Sequence, residues 1–142
     1  MPRRIVRRLG RLLGRRGAIL LSYGCVWTII GYGQITAPQP DVRGLRLLLQ
    51  TMPLTAWGWL WVTSGLIAIA SAWLPQGRDW PGFLALPLNV LPWMASYLLA
   101  WIIGDFPRGW LAAVVWGAIA APVLVAAGWD EPPRSKMLEA IR

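Results

Sequence analysis

The sequence predicts an all-α fold: an integral membrane four-helix bundle, N- and C-termini cytoplasmic, with an amphipathic basic N-terminal helix. Three observations predict it. Of 142 residues, 56% are hydrophobic and only 14% are charged, against roughly 25% charged in soluble domains. The apolar residues collect into four uncharged stretches, 17–33, 53–74, 82–104 and 109–129, each near the ~20 residues needed to cross a hydrocarbon core about 30 Å thick. Half of the 14 Lys and Arg residues precede residue 17, and such a cluster beside an apolar span is retained on the cytoplasmic face.

The chain divides accordingly into a basic arm (1–16), a transmembrane domain (17–129) and a polar tail (130–142). In the arm, Arg3, Arg4, Arg7, Arg8, Arg11, Arg15 and Arg16 surround Ile5, Leu9, Leu12 and Leu13, the spacing of a cationic helix lying on anionic headgroups. Gly10 and Gly14 weaken that helix. A basic arm also suits nucleic acid, but abutting an apolar span this one is read as membrane-facing. A basic start before an apolar core has the general form of a secretory signal as well. The small-residue site Ile35-Thr36-Ala37 is followed by Pro38 and by further spans, so the segment is read as a retained first span. Arginine outnumbers lysine thirteen to one, which points to a GC-rich bacterial or phage genome.

Each element follows from local chemistry. Pro38 and Pro40 end the first span, and residues 42–52, with Arg43 and Arg46 among leucines, are too short to cross; they form a short helix on the outer surface or folded back on the bundle. Pro53 opens the second span, where its missing N–H costs nothing. Trp57, Trp59 and Trp61 crowd the outer end of that span and Trp73 marks its inner end, as indoles do at headgroup depth. Asp79 is positioned to cap the third span, with Pro81 in the first turn. Pro87 and Pro92 should kink that span. Asp105 to Arg108 makes a short outer turn where those two residues can pair, so the third and fourth spans are antiparallel neighbours. Trp110 and Trp129 bracket the fourth. With this threading eleven Lys/Arg lie inside and three outside.

Small residues recur every four positions on three spans: Ser64, Ala68 and Ala72; Ser96, Ala100 and Gly104; Ala113, Gly117 and Ala121. Such stripes let helices approach closely, within the bundle or between subunits. Intramembrane polar groups mark function when they mark anything. Asn89, between Pro87 and Pro92, either satisfies backbone groups freed by the kink or lines a polar path. Tyr23, Thr28, Thr63, Ser64, Ser96 and Tyr97 are interhelical hydrogen-bond partners, and Cys25 is a small packing residue. No charge lies within the four spans and the chain has no histidine. No nucleophile–base pair, phosphate-binding loop or metal-ligand spacing is present, so neither catalysis nor a cofactor is expected.

The four-span layout, the basic start and the Trp57-Gly58-Trp59 and Arg78-Asp79-Trp80 neighbourhoods resemble the small Trp-rich membrane proteins of bacteriophages of GC-rich bacteria, some of them holin-like. The resemblance implies a homo-oligomer in the bacterial inner membrane that permeabilises it so that a cell-wall hydrolase reaches its substrate. The alternative is an accessory or scaffold subunit packing against a partner's membrane helices; a small transporter is the third reading.

Overall fold

The computed structural model describes residues 2–38 and 43–130, with side chains from Leu13 onward. The described residues form helices α1 (Pro2–Thr36), α2 (Arg46–Leu49), α3 (Leu54–Ser71), α4 (Trp80–Ile102) and α5 (Gly109–Ala127), and no strand. Four segments are long and apolar enough to cross a membrane: Leu13–Thr36, Leu54–Ser71, Trp80–Ile102 and Gly109–Ala127. The chain thus has the architecture of a multi-pass membrane protein.

The arm and the first span form a single helical run, broken at Gly14 by φ 70° and ψ 179°. That backbone conformation is open to glycine and strained for other residues, so the change of direction falls inside the arginine-rich segment, not at residue 17. Arg3, Arg4, Arg7, Arg8 and Arg11, expected on the membrane surface, have side chains outside the described residues, as does all of the 131–142 tail.

α1 and α3 make the most extensive helix–helix contact in the bundle, followed by α4 with α5 and α3 with α4; α1 touches α5 only sparsely. The helices therefore stand in a ring α1–α3–α4–α5 whose last edge is loosely closed. We call the end at which the membrane-length segment of α1 begins and α5 finishes the terminal end, and the opposite one the distal end.

The α1–α3 contact is backbone against backbone. A Cβ added to Gly31 would lie 2.5 Å from the Gly58 carbonyl oxygen, one at Gly24 would lie 2.7 Å from that of Gly65, and one at Gly17 would lie 2.6 Å from that of Ala72. Two series with seven-residue spacing, Gly17–Gly24–Gly31 and Gly58–Gly65–Ala72, therefore face each other in antiparallel register. A seven-residue repeat holds one face towards a partner along the whole contact, and the absence of side chains lets the axes close up.

The expected four-residue stripes are distributed differently. Ala68 and Ala72 are buried, while Ser64 is half-buried. Ser96 and Ala100 are buried, but the Ser96 hydroxyl meets the Gly44 carbonyl of the folded-back 43–49 segment (3.0 Å), not another spanning helix. Gly104 is outside the stripe: it is exposed, with φ 81°, and ends α4. There the Phe106 N–H closes on the Ala100 carbonyl at 3.0 Å, the use of glycine at a helix C-terminus. On α5, Ala113 is buried, Gly117 half-buried beside the Met94 methyl, and Ala121 exposed.

Residues 43–52 fold back on the bundle. Leu45 and Leu48 are buried, and the Arg43–Leu45 turn and α2 lie against α4. This settles the alternatives for residues 42–52 in favour of packing over surface lying.

Candidate functional site

Three constellations could carry a role, and each is assembled from residues far apart in the sequence. The first is a layer of four tryptophans, one from each spanning segment. Trp27 of α1 packs on Trp61 of α3 with ring centroids 5.2 Å apart. Trp61 in turn meets Trp93 of α4 at 5.4 Å and Trp116 of α5 at 5.3 Å, and Trp93 meets Trp116 at 5.6 Å. The rings are tilted or edge-on to one another, at centroid distances within the range aromatic pairs favour. Trp61 is 0% exposed, which overturns its expected place at headgroup depth. Trp57 is buried too, and its indole N–H reaches the Leu48 carbonyl at 3.4 Å. Trp59, Trp73, Trp110 and Trp129 do lie exposed near helix ends. Position along the helix does not separate the two groups, since buried Trp57 lies nearer the start of α3 than exposed Trp59; the inward indoles are those whose side of the helix meets a neighbouring element.

The second is a polar knot at the terminal end. Arg16 is 7% exposed, not on the surface as expected, whereas Arg15 beside it is exposed. Its guanidinium grips Asp79 in a two-point arrangement, Nε to Oδ2 at 2.8 Å and Nη2 to Oδ1 at 3.1 Å. Nη1 donates to the carbonyls of Ala127 (2.7 Å), Trp129 (2.8 Å) and Ala126 (3.3 Å). The cation also lies 4.6 Å from the centre of the Phe83 ring. One side chain thus satisfies the carbonyl end of α5, where positive charge is favoured, while a fork-shaped donor pairs with a carboxylate. Asp79 does stand at the N-cap position of α4, but its side chain makes no cap bond. It accepts from Arg16 and from the Gly77 N–H (3.2 Å) instead.

Asn89 makes a related clamp at mid-bundle. Its amide donates to the Leu60 carbonyl of α3 (2.9 Å) and the Ser64 hydroxyl (2.6 Å). Those donors tie α4 to α3 and are not spent on its own helix at Pro87 and Pro92. Thr28, Thr63 and Ser64 donate within their own helices, to Gly24, Trp59 and Leu60, so only Ser64 and Ser96 of the expected hydroxyls bridge elements. Cys25 is exposed on the bundle surface, not packed inside. Asp105 lies 3.9 Å from Arg46, both well exposed, a partner other than Arg108, with which its place in the outer turn also allowed a pair.

The third is a cavity of about 430 Å³ in the distal half, bordered by Gly33 and Gln34 of α1, Leu45 of the folded-back turn, Trp93 and Tyr97 of α4, and Trp116 of α5. Gln34 Oε1 and Trp93 Nε1 are buried without a hydrogen-bond partner, as is Trp61 Nε1 in the same aromatic layer. In a bilayer, where water does not substitute, each such group costs on the order of kilocalories. Of the cavity's bordering residues, only Tyr97 was among the candidate polar groups read from the sequence.

The fold and these constellations define a class: an all-helical bundle with four helices long and apolar enough to cross a membrane, closed by an aromatic layer and one buried ion pair. No family model matches the chain, and no curated protein or solved structure does.

Proposed function

We propose that the protein is a non-catalytic accessory or scaffold subunit of a bacterial inner membrane, inserted with both termini in the cytoplasm, that packs against a partner's membrane helices. One observation carries the reading: the glycine faces and the intramembrane amide are used within the chain. Gly24 lies against Gly65, Gly31 against Gly58, and Asn89 is bound to α3. The result is a self-contained body that shows apolar ridges around its circumference, among them Ile29, Trp59, Leu66, Leu91, Val114 and Leu124. A rigid bundle of this kind suits docking through van der Waals contact, which is what joins helices in lipid. Arg15 and the arginines of the arm would hold its terminal end at anionic headgroups on the cytoplasmic face.

The holin-like permeabilising oligomer is kept as a second reading because Ala121 is exposed and Gly117 half-buried on α5, a small-residue patch available to another copy. In that case the lesion would run between chains, since the four tryptophans fill the middle of each one. Regulated expression in a bacterium, with membrane potential and uptake of an impermeant dye followed together, separates the two. The subunit reading expects unchanged potential and, on extraction into lipid nanodiscs, a complex with a second polypeptide at fixed stoichiometry. Abrupt depolarisation with dye entry, or a complex of this chain alone, overturns it in favour of the oligomer.

A further inference from the structure

The distal cavity runs inward from the helix ends. On α1 its border extends from Ile30 to Ala37, whose N–H still bonds the Gly33 carbonyl at 2.8 Å. That is about 10 Å of helix rise, against about 15 Å for one leaflet of a hydrocarbon core. The outer rim is formed by Ala37 and by Leu54, the first residue of α3, and the inner wall by Trp93 and Trp116 of the aromatic layer. Ala37 is exposed, and Gly33 and Leu54 are half-buried, so the cavity opens on the bundle surface. It lies between α1 and Trp116 of α5, two helices that touch only sparsely. Cations stand at the rim: Arg43 and Arg46, both exposed, flank Gly44 and the bordering Leu45. Among the described residues the distal end carries Arg43, Arg46 and Arg108 against Asp105 alone, and Asp105 meets Arg46 loosely, at 3.9 Å with both side chains well exposed.

We propose that the cavity holds one acyl chain of an anionic bilayer phospholipid, whose phosphate is met by Arg43 and Arg46. The inference rests on the bundle being inserted in a membrane, as read above, and not on whether it docks with a partner. Apart from Gln34 and Tyr97 the bordering side chains are hydrocarbon or aromatic. Such walls hold water poorly, since a buried water needs two to four polar partners, and left void they forfeit dispersion contacts. An acyl chain is the flexible hydrocarbon that surrounds an inserted bundle at this depth, and it enters from the side without leaving its leaflet. A cavity of about 150 Å³ already holds benzene, so about 430 Å³ takes a run of methylenes. A chain lying there places its own headgroup at the rim, where guanidinium groups offer forked donors to phosphate and attract anionic over neutral lipid.

The test takes the full chain from bacterial membranes into mild detergent, strips it of lipid and titrates it with phosphatidylglycerol or with phosphatidylcholine of the same chains, counting bound lipid by native mass spectrometry. One saturable lipid per chain is expected, with phosphatidylglycerol held about tenfold more tightly and that preference shrinking in high salt. Gly33→Leu, at a position where an added Cβ meets nothing within 4 Å, fills the space and should remove the bound lipid whatever its headgroup, with the melting temperature of the lipid-free protein unchanged. Arg43→Gln combined with Arg46→Gln, both on the surface, should keep the lipid and equalise the two headgroups. A broad spread of lipids with no one-to-one species overturns the proposal, as does a bound lipid that survives Gly33→Leu or equal affinity of the wild type for the two headgroups. Recovery of the chain in the soluble fraction overturns the membrane insertion beneath it, so the two failures are told apart.

Discussion

Arg16 illustrates how a single residue changes meaning with its surroundings. In the sequence it is the last of seven arginines, indistinguishable from Arg15. In the bundle it is buried and bonded to Asp79 and to three carbonyls after or within the last turn of α5, so it joins α1, α4 and α5 where the loosely closed edge begins. Removing one partner of a buried ion pair strands the other, at a cost of about 3–5 kcal/mol. Arg16→Ala is therefore expected to lower the thermal midpoint markedly, whereas Arg15→Ala should change stability by no more than about 0.5 kcal/mol, as surface changes do, and leave the midpoint close to wild type. Melting of the two variants in the same detergent checks this; equal midpoints would mean the knot contributes nothing. Because the pair is shielded, the Arg16 effect should persist in high salt, which screens exposed charges far more strongly than buried ones.

At the scale of elements, the spacing of glycines decides which faces meet. Gly65 lies beneath the Thr28 hydroxyl and the Gly24 carbonyl, close enough that any side chain there would strike backbone. Gly117 lies beside the methyl end of Met94, at 3.3 Å from an added Cβ, and that methyl can swing aside. Gly65→Ala should therefore separate α1 from α3 and destabilise the bundle by about 1–3 kcal/mol, the range for overpacking. Gly117→Ala should be near neutral or slightly stabilising, because alanine is the better helix former. Thermal unfolding of both variants decides the matter. If Gly117→Ala is the more damaging, the helix contacts lie on the four-residue stripes expected from the sequence.

For the whole molecule, the four-tryptophan layer is the point at which the four long apolar helices meet. Trp61 touches the indoles of α1, α4 and α5 together, so Trp61→Ala removes contacts across the entire section. A loss of about 3–5 kcal/mol is expected, as for other large-to-small core changes. Trp59→Ala, two residues away at a position 61% exposed, should cost far less. Denaturant midpoints of the two variants measure the difference; similar losses would place Trp61 outside the core.

What the amino-acid order determined by itself was the number of long apolar helices, their approximate limits and the turns between them. Those features depend on local properties: runs of uncharged residues longer than about 17, prolines at helix starts, and glycines at ends. The observed segments Leu54–Ser71, Trp80–Ile102 and Gly109–Ala127 lie close to the stretches read from hydropathy. The site was hardly legible. That Arg16 is buried, that Trp61 faces inward and that Asn89 reaches across to Leu60 all depend on which face of each helix meets which neighbour. In a chain apolar on every side, hydropathy carries no such information, because lipid and core are equally apolar. One sequence signal did exist, the glycines spaced by seven on α1 and α3. Only the tertiary structure could join them, since steric fit between two backbones, not the polarity of either, selects the pairing.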